Sequence, residues 1–414
     1  MANTLSVVDM VAKEAQRIAH EKLSFIGTID RQYDASFKYQ AGRGPNGQTL
    51  RVRQPNQYTR TQGSRVMDVQ EQAEATQPIT VATQDHVDMR FNSQELMQSV
   101  NSGAAFDDLS KNYIEPAVAV LCSGIEADFL AFCTKATYNV AGTAGTAINT
   151  LVAPGAARAK INQGLAPPDK RAIQMDSPTM GGLVNGVAAY FNPSNAIEKQ
   201  YREGLIARTS MADYYENERI WTLTNSADVT ADTNAAGLVT DGGNTIAVGT
   251  LLPLADQVVG SVFTVAGVYA CHPETKAAYR HLQQFVITAT GTVSVTVSPT
   301  IYMTGAKKNV CTSTGANVTA ATFNAAALVF VGLASTSYAQ PLMYHKEAFQ
   351  FITADLPLMD DAHKCVNKQK DGLSMRVWQG SDIRNDELLM RIDILYGMAS
   401  LRPAWACRMI GSAG

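Results

Sequence analysis

Two stripes of apolar residues at helical spacing run along the segment Ala104–Thr137. They consist of Phe106, Leu109, Tyr113, Ala117, Val120 and Gly124, and of Ile114, Val118, Leu121, Ile125, Phe129 and Phe132. Neighbouring stripes of this kind predict a helix that buries most of its circumference. Pro116 lacks a backbone N–H and would clash inside a helix. We therefore expect a short helix up to Ile114, a break, and a helix of about 30 Å with Pro116 in its first turn.

The beginning of the chain carries an amphipathic helix pattern over Leu5–Leu23, which Gly27 is placed to end. Its apolar face is formed by Val8, Val11, Ala15, Ile18 and Ala19. Such a helix packs either on the core of its own chain or on a neighbouring molecule.

A polar segment rich in Gly, Pro, Asn and Gln extends from Tyr33 to Val66. The turn Pro45–Gly47 precedes an alternating stretch, Thr49–Arg53, and Gln77–Thr83 has the pattern of a returning strand. These features predict a long, exposed β-hairpin that is too polar to hold a core. Its arginines would suit phosphate, but aromatic residues are sparse and the net charge of the chain is −3. Contact with another protein, or a solvated face, is favoured over nucleic acid.

The region after the long helix mixes helix and strand patterns. We expect helices over Pro154–Asn162, from Ser177 towards Tyr190 with Ser177 as N-cap and Pro178 in the first turn, and from Asn192 to Tyr201, and strands over Arg171–Met175 and Glu218–Leu223. This part of the chain is therefore expected to be an α/β domain.

Residues 225–318 are rich in Thr, Val, Gly and Asn and lack helix patterning. Strands are predicted over Thr245–Val248, Ser261–Ala266, Gln284–Thr290 and Val293–Val297. Short alternating strands with glycine turns predict a small β-barrel or sandwich, inserted into α/β material. Beyond it we expect a helix over Phe323–Leu333 and strands over Ala348–Thr353, Ser374–Gln379, Leu388–Tyr396 and Trp405–Ile410.

The length of 414 residues predicts two or three domains. The six cysteines form no C-x-x-C pair, so we expect free thiols and a reducing compartment. No signal peptide is expected, because the first residues contain early charges and no long apolar run. No uninterrupted apolar run reaches the length of a membrane span. The expectation is a soluble protein made in the cytoplasm.

Two groups of residues have the chemistry of metal ligands. Cys271–His272 with His281 is one, and His363–Cys365 beside Asp360–Asp361 is the other. A zinc site normally shows four ligands in recognisable pairs, so chance spacing explains both groups better. Catalytic motifs of the G-x-S-x-G, H-E-x-x-H, Walker and dinucleotide-binding types are missing from the sequence. We expect no catalytic, cofactor or metal site, and no enzyme.

The order of these elements resembles the coat proteins of short-tailed phages of the P22 type, which use the HK97 capsid fold. Short stretches that look like the family are Tyr190–Pro193, Tyr201–Gly204, Phe263–Val268, Leu395–Gly397 and Arg402–Pro403. Each stretch is short, so the resemblance rests on their order, which spans nearly the whole chain.

The resemblance implies an α+β fold: an HK97-like capsid fold with an inserted small β-barrel. Its parts would be an N-terminal arm (1–35), an E-loop β-hairpin (36–84), a P domain with the spine helix (85–140), a first part of the A domain (141–224), an inserted I-domain (225–318), a second part of the A domain (319–370) and C-terminal P-domain strands (371–414). The implied function is that of the major capsid protein of a tailed double-stranded DNA bacteriophage.

The resemblance also implies the partners. The chain would form hexamers and pentamers with itself, work with a scaffolding protein and a portal, and enclose double-stranded DNA without specific binding. It would contact no membrane, assemble in the host cytoplasm and end in the virion capsid. Contacts between subunits would use charged hairpin residues: Arg43, Arg51, Arg53, Arg60, Glu71 and Glu74. Arg51 and Arg53 share one strand face, and Glu71 or Glu74 of a neighbour is the expected partner.

Three other interpretations remain open at this point. An encapsulin-like compartment shell would need a cargo-docking site, which the sequence does not show. A phage tail or other surface β-protein is disfavoured by the long apolar helix. A soluble enzyme with a β-rich insertion would need a clustered set of titratable groups with shifted pKa values in a pocket.

Overall fold

A computed structural model describes residues 7–31, 49–63, 65–67, 69–70, 74–92, 110–187, 212–227, 230–232, 239–247, 258–291, 294–323, 326–358, 364–370 and 372–411. The helices in these ranges are α1 (Val7–Lys22), α2 (Ser24–Gly27), α3 (Glu115–Ala136), α4 (Val152–Gln163) and α5 (Ser177–Val187), with a π-helical turn at Ser110–Ile114 and 3-10 turns at Ala320–Phe323, Lys346–Ala348 and Pro403–Trp405. The strands are β1 (Thr49–Arg53), β2 (Thr76–Thr80), β3 (Thr83–Asn92), β4 (Val140–Ala141), β5 (Arg171–Met175), β6 (Asp213–Glu216), β7 (Thr222–Thr224), β8 (Thr230–Asp232), β9 (Gly243–Ala247), β10 (Val262–Cys271), β11 (Ala278–Thr290), β12 (Ser294–Ile301), β13 (Val310–Cys311), β14 (Ala327–Phe330), β15 (Ser337–Ala339), β16 (Leu342–His345), β17 (Phe349–Ala354), β18 (Lys364–Lys370), β19 (Leu373–Asp382), β20 (Glu387–Ser400) and β21 (Ala406–Met409).

The mixed α/β chain divides into two compact units, each made of several segments. The first unit comprises Met1–Val52, Thr76–Phe129 and Phe349–Ala399. The second comprises Arg53–Ala75, Leu130–Ala348 and Ser400–Gly414.

The first unit is built on a five-stranded sheet in the order β17-β20-β19-β18, with β3 also paired to β20. The alternation predicted for β20 is confirmed, because Met390, Ile392, Ile394 and Tyr396 are all buried. Helix α1, predicted from its amphipathic pattern, packs against β18 and β19. Its buried residues include Val11, Ala15, Ile18 and Ala19.

Pro116 lies in the first turn of α3, as predicted. The predicted break before the long helix is wrong, because the π-helical turn Ser110–Ile114 runs directly into α3, which begins at Glu115. A row of aromatic rings explains its buried stripe: Phe129 contacts Phe25 and Phe351, each with ring centroids 5.3 Å apart. The prediction that most of its circumference is buried is wrong for this subunit. The second stripe is covered, but Val120 in the first stripe is 67% exposed. The reason is that the aromatic row and the sheet lie on one side of the helix.

By length and composition, Asn112–Ala136 is the one helical segment in the described ranges that could cross a membrane. Half of its most apolar stretch is buried inside the protein. Glu126, near the middle of the segment, is fully buried and is bonded to backbone of the same unit.

The second unit contains a mixed five-stranded sheet in the order β4-β21-β16-β5-β6. Its end pairs, β21 with β4 and β5 with β6, are parallel, and the two pairs made by β16 are antiparallel. Helices α4 and α5 pack on this sheet through one apolar cluster that includes Ile161, Leu183, Ile173, Met343 and Met409. The predicted strand Arg171–Met175 and the helix expected over Pro154–Asn162 are confirmed.

A larger antiparallel sheet in the second unit has the order β8-β14-β10-β11-β12-β9, with β13 added to β10. It confirms the strands predicted within 225–318. Its core contains Phe263, whose ring lies 5.9 Å from that of Phe285 and 5.4 Å from that of Phe330. Strands β8 and β9 are the two edges of this path.

Three local predictions are wrong. Phe323–Leu333 is not a helix; it ends a 3-10 turn and continues into β14, because Ala327–Phe330 pairs with both β8 and β10. Glu218–Leu223 is not one strand, since only its last two residues belong to β7 and it begins in a turn. Ser177 is the first residue of α5 and not its cap; Asp176 Oδ2 accepts the N–H of Thr179 at 3.3 Å instead.

Several predicted features lie outside the described residues. These are the helix expected over Asn192–Tyr201, the stretches Tyr190–Pro193 and Tyr201–Gly204, residues 104–109 of the first helix, and Arg43 and Glu71 of the hairpin.

Candidate inter-subunit contact surface

The predicted hairpin is confirmed as a two-stranded sheet of β1 and β2. Beyond the paired strands, Gln54 N donates to Ala75 O at 2.8 Å and continues the ladder. Further out, the Gln70 side chain accepts from Thr59 N at 2.9 Å and donates to Thr59 O at 2.7 Å. The Gln70 amide thus bonds both backbone groups of Thr59, as a paired strand would. These bonds hold the two arms together as far as residues 59 and 70 without a hydrophobic core.

The structure brings together two of the predicted contact residues within one chain. Arg53 lies 3.6 Å from Glu74, and both side chains are more than half exposed. An exposed ion pair of this kind contributes about 1 kcal/mol at most. Arg51 is exposed two residues before Arg53 on the same strand. Arg60 is also exposed and donates to Gln62 Oε1 at 2.6 Å.

An apolar group at the outer part of the hairpin was missed by the sequence reasoning. Val66, Met67 and Val69 are each about 80% exposed, and Tyr58 is 54% exposed. The sequence signal was present as three large apolar residues in an otherwise polar segment. Clustered exposed apolar side chains mark interaction sites, so the hairpin offers apolar as well as charged contacts.

The base of the hairpin, where the chain leaves β2 at Thr80 and Val81, passes directly over Gly397 of β20. A Cβ atom placed there would overlap the carbonyl oxygen of Thr80 and lie 2.9 Å from Val81 Cγ2. Thr80 ends β2, and β3 begins at Thr83 and pairs with β20 along its length. Glycine at 397 therefore lets the chain pass closely over the sheet where the hairpin leaves it.

Cross-strand ion pairs hold β3 on β20. Arg391 donates to both carboxylate oxygens of Asp88, at 2.6 and 3.1 Å, and the two residues are directly opposite in the ladder. The hydrogen bond from Arg391 lowers the pKa of the Asp88 carboxyl below its ordinary value of 3.8. Arg90 adds a second pair with Glu387 at 3.1 Å. These contacts anchor the strand that continues from the hairpin.

The first group of potential metal ligands has structural roles. His272 Nδ1 accepts the N–H groups of Glu274 and Thr275, at 3.1 and 3.2 Å. Tyr279 lies between the rings of His272 and His281. Among the described residues, no three His, Cys, Asp or Glu side chains are grouped to hold a metal ion. Asp360, Asp361 and His363 lie outside those residues.

A family of phage proteins matches the C-terminal part of the chain. The family described as P22 coat protein (gene protein 5) matches residues 221–411. The match extends from β7 to β21, and so it includes the larger antiparallel sheet and the final strands. For these residues it confirms the resemblance to P22-type coat proteins predicted from the sequence.

Solved structures from phages and of a virus-like particle show a more distant likeness. One from Mycobacterium phage Che8 has 10% identity and a TM-score of 0.49, covering 94% of this chain and 90% of that chain. The mature capsid of bacteriophage PhiM1 has 11% identity and a TM-score of 0.41, covering 88% and 82%. A virus-like particle from Pyrococcus furiosus has 6% identity and a TM-score of 0.39, covering 97% and 98%. No curated protein matches the chain.

Proposed function

From the match of residues 221–411 to the P22 coat protein family, we propose that this chain is the major capsid protein of a tailed double-stranded DNA bacteriophage and assembles into the icosahedral shell around the genome. The single observation that carries the proposal is the extent of the match. It takes in both the inserted sheet and the strands after it, in one continuous stretch.

The HK97-type division of the chain is part of the proposal. The arm is 1–35, the E-loop is 36–84, the spine helix is α3, the A domain is the sheet around β16 with its two helices, and the I-domain is the larger antiparallel sheet. Two boundaries move from the sequence expectation. The I-domain extends through Phe330, because β14 pairs with β10. The second part of the A domain ends at Ala348, because β17 and β18 belong to the sheet of β20.

Assembly follows from repetition of weak contacts. In a closed symmetric shell each subunit presents the same surfaces to its neighbours. The hairpin suits this role because it is held at its base, extends as two arms and exposes both arginines and apolar side chains. Individually weak contacts permit correction of errors, and their number makes the closed shell stable.

The remaining partners belong to the same proposal. A scaffolding protein and a portal would direct assembly in the host cytoplasm, and the product would be the virion capsid. The net charge of −3 suits a container that encloses DNA without gripping it. The protein would act through its surfaces alone, with no catalytic step and no cofactor.

Expression of the chain alone, followed by size-exclusion chromatography and negative-stain electron microscopy, tests the proposal. We expect closed or spiral shells with hexamer and pentamer texture, or their formation when the scaffolding protein is added. A small monodisperse species that stays unchanged at high concentration and with the scaffolding protein would contradict it. A variant lacking residues 54–75 is the matched control, because it keeps the described sheets and should remain a folded, unassembled subunit.

A further inference from the structure

Two cysteines meet where β13 pairs with the end of β10. Tyr269 is opposite Cys311, and Ala270 is opposite Val310. Residues opposite each other in an antiparallel pair project to the same face, and so do residues two apart on one strand. The side chains of Cys271 and Cys311 therefore share one face of the sheet. Cys271 N also donates to Asn309 O at 3.2 Å, which fixes the two strand ends together.

The Cys311 side chain reaches the backbone next to Cys271. Its Sγ lies 3.6 Å from the carbonyl oxygen of Ala270, the residue bonded to Cys271, and 3.7 Å from that of Tyr269. Interaction with the Cys271 side chain adds to burial in raising the pKa of the Cys311 thiol. Both residues are buried and both carry free thiols. A change of side-chain rotamer at these two neighbouring positions would bring the sulfur atoms to the disulfide length of about 2.05 Å.

Only one of the two cysteines lines a cavity. Cys271, together with Pro273, Tyr279 and His281, lines a cavity of about 540 Å³ in the second unit, and Cys311 is not part of its lining. A small oxidant in this cavity would therefore meet Cys271 first. Lys276 is close by, held by hydrogen bonds to the carbonyl oxygens of Pro273 and Lys308 at 2.5 and 3.3 Å.

We propose that Cys271 and Cys311 form a reversible disulfide when the protein meets a low-molecular-weight disulfide such as oxidised glutathione. The Cys271 thiolate attacks one sulfur of glutathione disulfide and releases one glutathione thiolate. The Cys311 thiolate then attacks the Cys271 sulfur of the mixed disulfide and releases the second glutathione. Two electrons pass from the cysteines to glutathione disulfide, and the two cysteine protons end on the released glutathiones.

The second step is expected to be the slower one. Burial raises the pKa of the Cys311 thiol to about 11, and the thiolate is the attacking form. The bridge would close residues 271–311, including β11 and β12, into a loop and so restrict the unfolded chain. The inference concerns the subunit alone and does not depend on shell assembly.

The test treats the reduced full-length protein with excess oxidised glutathione at pH 8 and maps its thiols by mass spectrometry. We expect the intact mass to fall by two hydrogens, the free thiols to fall from six to four, and a tryptic cross-link to join Cys271 to Cys311. Dithiothreitol should reverse the change, and the bridged form should melt about 4–10 °C higher.

Variants make the assignment specific. Cys311→Ser should retain glutathione on Cys271, and Cys271→Ser should form no bridge. Cys365→Ser is the matched control, because it removes a half-buried thiol elsewhere and should leave the bridge unchanged. Six remaining thiols, a stable glutathione adduct on wild-type Cys271, or bridges to other cysteines would each overturn the proposal. The wild-type map decides the matter even where a variant does not fold.

Discussion

The buried carboxylate of Glu126 in α3 accepts a hydrogen bond from the backbone N–H of Phe25 at 2.5 Å. It also accepts one from Ser24 Oγ at 3.1 Å. The first N–H groups of a helix have no partner within it, and Leu23, before α2, has no side chain that could cap it. Glu126 of α3 therefore caps the N-terminus of α2, which has no capping side chain of its own.

Replacing this residue should destabilise the subunit without altering its surface. We expect Glu126→Ala to lower the free energy of unfolding by about 1–3 kcal/mol, because the buried N–H of Phe25 loses its acceptor. Chemical denaturation of the unassembled subunit measures the change. Asp128→Ala is the control, since Asp128 is exposed on the same helix. Equal losses in the two variants would show that the cap has no special role.

A buried ion pair crosses β19 and β20. Arg376 and Asp393 are directly opposite in the ladder, and Arg376 Nε donates to Asp393 Oδ1 at 3.0 Å. Asp393→Ala should cost about 3–5 kcal/mol, because the Arg376 guanidinium is left buried without its charge partner. Arg376→Met combined with Asp393→Leu should cost less than that single change, and denaturation of all three variants measures this.

The exposed pair on the neighbouring ladder is the control for that experiment. Asp88→Ala removes the partner of Arg391, which is exposed to water in part. Its cost should stay below about 1 kcal/mol. A loss for Asp88→Ala as large as that for Asp393→Ala would contradict the distinction between the two pairs.

The Asp88 carboxyl should also show a pH dependence of defined sign. Its pKa is lowered in the folded protein, chiefly by the hydrogen bond from Arg391. As the pH falls, the Asp88 carboxyl is therefore protonated at a higher pH in the unfolded chain than in the folded protein. The contribution to stability is therefore present above 3.8, the ordinary pKa, and is lost as the pH falls through the folded value. An NMR titration should find the lowered pKa, and Arg391→Gln should raise it.

The close passage over Gly397 gives a prediction about the base of the hairpin. Gly397→Ala should destabilise the subunit by about 1–3 kcal/mol, because the new Cβ overlaps the Thr80 carbonyl oxygen and the chain must shift. Gly380→Ala is the matched control in the neighbouring strand β19, where the nearest atom is Trp378 Nε1 at 3.8 Å. Thermal unfolding and the shell yield should both change in the first variant and neither in the second.

The sequence predicted elements best where periodicity and a boundary signal agreed. The start of α3 followed from Pro116, and the buried face of β20 followed from the alternation of apolar residues that ends in Tyr396. Phe323–Leu333 was different, because a short apolar run has the same pattern in a buried helix and a buried strand. Pairing with β8 and β10, both more than fifty residues earlier in the chain, makes Ala327–Phe330 a strand.

The hairpin surface could likewise be predicted from the sequence only in part. An extended hairpin with exposed arginines could be inferred from polar composition and the Pro45–Gly47 turn. The pairing of Arg53 with Glu74 in one chain could not, because it depends on which residues face each other across the arms. The close contact between Gly397 and Thr80 could not be predicted either, because the two residues are more than three hundred positions apart in the chain.

The hairpin arginines carry the prediction that tests assembly itself. We expect Arg51→Ala with Arg53→Ala to reduce the yield of closed shells while the subunit stays folded. Both side chains are exposed. In the described part of the hairpin only Arg53 has a carboxylate partner, Glu74, at a distance of 3.6 Å. Loss of such a pair should change the free energy of unfolding by less than about 1 kcal/mol. Electron microscopy of shells and thermal unfolding of subunits measure the two effects separately.

A charge-preserving variant shows which property of the arginines is used. Arg51→Lys with Arg53→Lys keeps both charges and loses the planar fork that binds a carboxylate with two hydrogen bonds. Recovery of shells in this variant would assign the contact to charge, and continued loss would assign it to paired hydrogen bonds with a neighbour's carboxylates. Normal shells from the double alanine variant, or a collapsed melting transition in its subunit, would show that these arginines are not an assembly contact.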